Sequence, residues 1–226
     1  MLNHSQKFLV GIGKNNNREW FHENKIYYLA AKEEFEEFVS SLLKRMSDFE
    51  DLGGIESKKC IYRINRDLRF TPDKTPYNSH FSALIAIDGR RTKRAPYYFK
   101  IKPDGQSVIA GGIWEGKAAL INAIRQEIDY NLDEFNEIIN NKKFINRFGN
   151  IEGVSLKRSP KGYEDDHPLI RILKLKQFLV HYNIDKRIYL SSSFQDHLIE
   201  SFVILKPFLD FMNKPLDEYF SQEGLT

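Results

Sequence analysis

Large apolar side chains recur at helical spacing over residues 17–46, with Glu and Lys between them, which is the pattern of an amphipathic helix. Asn16 followed by Glu19 resembles a capping box, and Gly53 with Gly54 marks the end of the region. We therefore expect one long N-terminal helix. Its predicted core face carries Trp20, Tyr27, Tyr28, Ala31, Phe35, Phe38, Val39, Leu42, Leu43 and Met46.

Over residues 60–114 the apolar positions alternate with a period of two, which is typical of strands that bury one face. The pairs Asp88-Gly89 and Asp104-Gly105 are turn signals between such strands. The alternation predicts an antiparallel set of strands at residues 60–64, 80–87, 97–101 and 107–114.

Helical spacing returns at residues 120–139, and the stretches 168–182 and 194–220 also fit helices, with Pro207 expected to kink or break the last one. Residues 150–156 fit one more strand. This order predicts an α+β fold, an antiparallel sheet flanked by helices with a long N-terminal helix. Because no Pro/Gly/Ser-rich linker divides the chain, we expect a single compact domain over residues 1–226.

The composition provides a sizeable core, since 41% of the 226 residues are hydrophobic and 13% aromatic. No run approaches the roughly 20 apolar residues that a bilayer requires, and the N-terminus lacks the layout of a signal peptide. The single cysteine, Cys60, excludes an internal disulfide and fits a reducing compartment. We expect a soluble, cytoplasmic protein in which Cys60 is buried and inert.

The net charge of +3 hides a strong local asymmetry. Residues 58–102 hold 12 Lys and Arg against 3 Asp and Glu, whereas residues 19–51 hold 9 acidic against 4 basic residues. A basic sheet region therefore follows an acidic helix, and any electrostatic function depends on this clustering.

The basic region contains a loop, residues 63–80, that Pro72 and Pro76 hold in an irregular but ordered shape. Guanidinium groups donate forked hydrogen bonds to phosphate or carboxylate, and lysine, tyrosine and histidine add further donors. The predicted ligand-binding residues of this loop are Arg63, Arg66, Arg69, Lys74, Tyr77 and His80. In a competing interpretation, the arginines pair internally with Asp67, with Asp73 and with the acidic helix, and their role is structural.

A second basic loop contributes two further ligand-binding candidates, Arg158 and Lys161. Asp165, Asp166 and His167 follow them, but adjacent residues of a loop seldom converge on one ion, and no HExxH or CxxC motif is present. We therefore expect no metal site. One of the two aspartates is instead expected to cap a helix that starts near residue 168.

Five short motifs along the chain, taken together, resemble the pattern of one protein family. They are Asn16-Asn17-Arg18-Glu19-Trp20-Phe21, Arg66-Asp67-Leu68-Arg69-Phe70, Asp73-Lys74-Thr75-Pro76-Tyr77, Gly111-Gly112-Ile113-Trp114 and Lys157-Arg158-Ser159-Pro160-Lys161-Gly162-Tyr163. The chain resembles, over nearly its whole length, an uncharacterised and mainly bacterial family catalogued as domain of unknown function 2461. One departure is Asn78, where the family commonly has lysine, which weakens the basic loop slightly. The resemblance implies a single compact domain and supplies no activity.

The leading hypothesis is a domain that binds an anionic ligand, either a phosphorylated molecule or a nucleic acid. A single-stranded nucleic acid would also need exposed aromatic rings such as Tyr77 or Tyr97. The alternatives are an enzyme on a charged small-molecule substrate, with His80 as general acid or base, and an interaction domain that docks an acidic protein partner. Since no GxGxxG, Walker-type or GxSxG motif is present, we expect no cofactor, and Gly111-Gly112 is expected to serve close backbone packing or a bulge. No membrane partner is expected.

Overall fold

The computed structural model describes residues 2–222, and its N-terminal part is helical. Helix α1 spans Asn3–Lys14, α2 spans Arg18–Glu23 and α3 spans Lys25–Met46. The prediction of a long N-terminal helix is confirmed by α3, which is 22 residues long. Helix α1 was not predicted, because its apolar positions are few and its sequence contains two glycines.

The predicted start of the long helix is wrong in two respects. The N-cap is Asn17, whose Oδ1 accepts a hydrogen bond from the backbone N–H of Trp20 at 2.9 Å, and Asn16 does not cap. Asn24 then separates α2 from α3, so Trp20 does not continue the buried face of α3. Trp20 is only half-buried and lies over Gly11, and Tyr27, also predicted to be core, is 63% exposed.

The sheet is antiparallel and four-stranded, in the order β1-β2-β3-β4. The strands are β1 (Phe81–Ile85), β2 (Tyr97–Ile101), β3 (Ser107–Ile113) and β4 (Phe178–Ile184). The predicted α+β class with an antiparallel sheet is confirmed. Buried and half-exposed residues alternate along β2, as the period-two pattern predicts.

Three strand and helix boundaries differ from the prediction. Residues 60–64 form no strand: α4 (Ser57–Cys60) is followed by a single antiparallel bridge from Ile61 to Ala83. Residues 150–156 likewise make only isolated bridges, to Leu175 and Leu179. The stretch 178–182, predicted to be helical, belongs to β4, where Phe178, Val180 and Ile184 follow a period of two that the helical interpretation overlooked.

The remaining helices follow the predicted regions more closely. The stretch 120–139 is covered by α5 (Ala118–Tyr130) and α6 (Leu132–Ile139), which α7 (Lys142–Phe148) follows. Two single-turn helices are α8 (Ile170–Leu173) and α9 (Lys186–Tyr189). Helix α10 spans Phe194–Gln222 and contains Pro207 and Pro215, so the expected break at Pro207 does not occur.

The described residues pack as two compact units. The first contains residues 2–91, 98–109 and 183–200, and the second contains residues 92–97, 110–182 and 201–222. The prediction of a single compact domain stays a prediction.

Each unit has its own cluster of buried phenylalanine rings. In the first unit the ring centroid of Phe35 lies 5.1 Å from that of Phe81 and 5.8 Å from that of Phe99. In the second unit Phe144 lies 5.6 Å from Phe208. Such pairs stabilise a core beyond the apolar area that they bury.

Gly112 shows why the glycine pair at the end of β3 is needed. Its φ is +119°, and a Cβ at this position would lie 2.0 Å from the carbonyl oxygen of Phe178. A Cβ on Gly111 would lie 2.6 Å from the side chain of Leu205 and 3.0 Å from the carbonyl oxygen of Pro96. The expectation of close backbone packing is confirmed for both glycines. Among the helices that the structure describes, none is long and apolar enough to cross a membrane.

Candidate functional site

The basic loop predicted from the sequence is an irregular hairpin in the first unit, closed at its base by backbone pairing. Asn65 and Tyr77 form an antiparallel bridge, and the backbone N–H of Asn78 donates to the carbonyl of Ile64 at 2.7 Å. The N–H of Arg66 donates to the carbonyl of Pro76 at 3.0 Å. We call residues 65–77 the basic hairpin.

Arg66 braces the hairpin from within. Its Nη1 donates to Oδ2 of Asp73 at 2.6 Å, to the carbonyl of Thr75 at 3.1 Å and to the Thr75 hydroxyl. The backbone N–H of Thr75 and then the Arg66 guanidinium lower the pKa of Asp73 to about 2. Within residues 2–222, Nε and Nη2 of Arg66 make no hydrogen bond, so two sides of the guanidinium keep unused donors.

The tip of the hairpin is held by further local contacts. Arg69 donates from Nη2 to Oδ2 of Asp67 at 2.6 Å and from Nε to Oδ1 at 3.0 Å, and these bonds lower the pKa of Asp67 to about 2. Lys74 donates from Nζ to the carbonyl of Leu68 at 3.0 Å. Internal pairing therefore describes Arg66 and Arg69, and their partners come from the hairpin itself rather than from the acidic helix.

Arg63 and Tyr77 differ in their exposure to solvent. Arg63 is exposed, and its guanidinium makes no hydrogen bond in the part of the chain that the structure describes. Tyr77 is 8% exposed, and its ring stacks on Phe21 with centroids 4.1 Å apart. Both backbone groups of Tyr77 pair with the Asn16 side chain, at 2.8 and 3.1 Å. Neither Tyr77 nor Tyr97, which is 3% exposed, presents the ring that the nucleic-acid hypothesis required.

His80 stands at the start of β1, in a strongly positive environment. Burial, followed by Lys100, Lys102 and Arg66, lowers the pKa of its imidazole to about 4, although Asp104 acts in the opposite direction. The ring is therefore neutral near pH 7, where it is a weak base and carries no imidazolium proton to give. Within residues 2–222 the ring makes no hydrogen bond.

Lys100 also belongs to this site, although no sequence motif marks it. It is half-buried on the polar face of β2, and burial, followed by the charge of Lys102, lowers its pKa. Lys102 is bound to Asp104 at 2.7 Å and to Gln106 at 2.8 Å, whereas Lys100 has no hydrogen bond or ion pair within the described residues. We call Arg66, His80, Lys100 and Lys102 the His80 cluster.

Arg158 and Lys161, in the second unit, are exposed on a loop that internal bonds close. Asp165 accepts from the hydroxyl of Ser159 and from Nζ of Lys174, the latter at 2.9 Å. Helix α8 begins without a side-chain cap, so the expected capping by Asp165 or Asp166 is wrong.

His167 anchors the end of this second basic loop. Its Nδ1 accepts from the backbone N–H of Leu169 at 3.1 Å, so Nε2 carries the proton and donates to Oδ1 of Asp129 at 3.1 Å. Among the residues described, no three His, Cys, Asp or Glu side chains are grouped to hold a metal ion.

A cavity of about 930 Å³ in the first unit is lined by none of the predicted site residues. It lies between the end of α3 and α4, and its wall includes Asp48, Asp51 and Glu56. Because this wall is rich in carboxylates, the cavity does not suit an anion.

The comparison with protein families agrees with the resemblance seen in the sequence. The family model described as "Conserved hypothetical protein (DUF2461)" matches residues 4–211. No curated protein and no solved structure matches the chain. The match spans most of the chain, and the chain belongs to this family.

Proposed function

We propose that this member of the DUF2461 family binds a small anionic ligand, bearing a phosphate or carboxylate group, at the His80 cluster. The observation that carries the proposal is Lys100, a half-buried ammonium group without a hydrogen bond or ion pair within residues 2–222. Burying a charge without a partner is unfavourable, and such groups are typical of binding sites. An anion from solution would supply the missing partner.

The other members of the His80 cluster offer further hydrogen-bond donors. Arg66 is fixed by Asp73 and Thr75, yet Nε and Nη2 remain available for a forked contact with two oxygen atoms. The neutral imidazole of His80 can donate one N–H. Because Asp73 holds the guanidinium before a ligand arrives, little side-chain freedom is lost on binding.

The other predicted residues have different parts in this proposal. Arg69 and Lys74 shape the hairpin through Asp67 and the carbonyl of Leu68. Tyr77 supports it from the core. Arg158 and Lys161 stay candidates for a separate anion contact on their own loop.

A second candidate function is catalysis on a charged small molecule, with His80 as the base. The observation that favours it is the group of cations around His80, which would hold a charged substrate, although a pKa lowered to about 4 makes the neutral ring a weak base near pH 7. The role of general acid is not favoured, because the imidazolium form is scarce at that pH.

Thermal unfolding with and without inorganic phosphate, near pH 7, tests the binding proposal. We expect phosphate to raise the Tm of the parent chain through binding to the folded state. Lys100→Met keeps the length of the side chain and removes the charge, so we expect it to fold at least as well as the parent. The variant should weaken phosphate binding by about 1.5–3 kcal/mol, the scale of a charge-assisted hydrogen bond.

The matched control is Lys142→Met, which removes an equal charge from an exposed position of α7. It should bind phosphate as the parent does. A parent chain whose Tm is insensitive to phosphate, and equally to nucleoside phosphates and dicarboxylates, would contradict the proposal. Phosphate stabilisation that survives Lys100→Met would show that the anion binds elsewhere.

A further inference from the structure

The most exposed large apolar side chain in the described part of the chain is Phe70, at 92%, on the tip of the basic hairpin. The guanidinium of Arg69 lies 5.6 Å from the centroid of its ring. A ring of this size ordinarily gains free energy by burial, so its full exposure on a fixed loop marks it as a contact for something outside the chain.

The hairpin presents Phe70 on a braced support. Bonds on both sides of the tip connect Arg66 to Asp73, Arg69 to Asp67 and Lys74 to the carbonyl of Leu68. The backbone that carries the ring is therefore held before any partner binds, which lowers the entropic cost of the contact.

A second exposed ring, Tyr62, lies on the same unit close to the base of the hairpin. It is 40% exposed, and the guanidinium of Arg90 lies 5.8 Å from its centroid. Arg90 also donates to the carbonyl of Lys59 at 3.1 Å, which fixes its position. Phe70 and Tyr62 thus share one arrangement, a partly open aromatic ring beside an arginine.

Further cations lie near each ring in the chain. Arg63 adjoins Tyr62 in the chain and helps to lower the pKa of Asp67, the partner of Arg69. Exposed Lys58 and Lys59 extend the positive charge beyond Arg90. We call Tyr62, Arg63, Arg69, Phe70 and Arg90 the aromatic-basic face.

We propose that the aromatic-basic face binds single-stranded nucleic acid, with bases stacked on Phe70 and Tyr62 and phosphates held by Arg63, Arg69 and Arg90. Each ring can stack on a base and the arginine beside it can bind a phosphate, the two groups that a single strand presents. A duplex offers no free base face to a protruding ring, which favours a single strand. A membrane is less favoured, because Phe70 is the one large apolar side chain that is exposed at the described tip, with its neighbour Leu68 half-buried.

Fluorescence anisotropy with a labelled oligothymidylate of about 20 nucleotides tests the proposal on the full chain. We expect saturable binding at low salt that weakens as salt rises. Phe70→Ala should weaken binding roughly 5- to 150-fold, the effect of losing one stacked base, and Phe70→Trp should restore it. Arg63→Gln should weaken binding and reduce the slope of log K against log salt by about 0.7.

Controls separate this surface from general charge and from the His80 cluster. Tyr27→Ala removes another exposed ring of the first unit, and Lys7→Gln removes an exposed charge of α1, so both should bind as the parent does. Phe70→Ala should also retain the phosphate-dependent rise in Tm, and Lys100→Met should retain oligonucleotide binding. The two proposals can therefore fail separately.

Three results would overturn the inference. The first is the absence of oligonucleotide binding at low salt by the folded parent chain, and the second is unchanged binding by Phe70→Ala. The third is a Phe70-dependent co-sedimentation with vesicles of anionic phospholipid, without any Phe70-dependent binding of the oligonucleotide. That last outcome would assign the exposed ring to a membrane surface instead.

Discussion

Two segments of this chain are held by arginine, and the surroundings of the arginine differ. In the basic hairpin Arg69 bonds an exposed carboxylate at the tip, among solvent. In the second unit Arg125 is 6% exposed and donates to the carbonyls of Leu173 and Leu175, at 2.7 and 2.9 Å. An exposed ion pair shapes a loop at almost no gain in stability, whereas a buried guanidinium that satisfies backbone carbonyls is part of the fold.

The largest effect is expected at the buried guanidinium. Arg125→Met leaves two buried carbonyls without donors, so we expect the free energy of unfolding to fall by about 2–5 kcal/mol, measured by chemical denaturation. Arg171→Met, at an exposed position of α8, is the matched control and should be near neutral. Equal stability of the two variants would mean that the contrast between the segments is wrong.

The base of the hairpin should show an intermediate effect. Asn16 pairs both backbone groups of Tyr77 in a part-buried position, so Asn16→Ala should cost about 1–3 kcal/mol in the same assay. Asn15→Ala removes only an exposed hydrogen bond to the carbonyl of Gly11 and should cost less. A smaller loss of unfolding free energy for Asn16→Ala than for Asn15→Ala would mean that the bonds of Asn16 do not hold the base of the hairpin.

The response to acid follows from His80. Its pKa is about 4 in the folded chain against an ordinary 6.5, so between these values the unfolded chain binds a proton that the folded chain does not. His80 therefore lowers the free energy of unfolding as the pH falls from about 6.5 to about 4. Below about pH 4 its contribution no longer changes with pH.

His80→Asn should remove this contribution. Between about pH 7 and about pH 4.5, the variant should lose about 1–2 kcal/mol less unfolding free energy than the parent, after allowance for partial exposure of the ring. His22→Asn, on exposed α2, should follow the parent. Parallel stability curves for the parent and His80→Asn would show that the ring titrates normally.

The smallest effect is expected at the tip of the hairpin. Arg69→Ala should leave the Tm unchanged, because the pair is exposed to solvent. The same substitution should raise the pKa of Asp67 from about 2 toward its ordinary value, measured by NMR titration, while the pKa of Asp73 stays near 2. A clear fall in Tm would mean that the tip supports the fold as Arg125 does.

Local periodicity was sufficient to predict the elements that bury one face along their own length. In helix α3 the apolar residues recur at helical spacing, and in strand β2 the buried residues alternate with a period of two. The type of each element can therefore be predicted from its own sequence. Strand β4 was not predicted because its short apolar run, residues 178–180, does not by itself distinguish a strand from a helix, and the pairing with β3 decides between them.

The candidate site was predictable in composition but not in arrangement. The cluster of cations on the hairpin is visible in the sequence, whereas the pairing of Arg66 with Asp73 depends on how the hairpin closes. Tyr77 was predicted to bind a ligand, yet its ring is covered by Phe21 and its backbone is paired with Asn16, about 60 positions earlier in the chain. Lys100 becomes notable only when β2 shows that its side chain has no partner among the described residues.

Chemical modification of Cys60 can report transient opening of the first unit. It is the sole cysteine, its side chain is fully buried at the end of α4, and burial is the main cause that raises its pKa to about 11. Because the thiolate is the species that reacts, a maleimide or disulfide reagent can modify Cys60 only in molecules whose first unit has transiently opened. The rate of modification under native conditions therefore measures the free energy of that opening, and a ligand that binds the closed unit would slow the reaction in proportion to its occupancy.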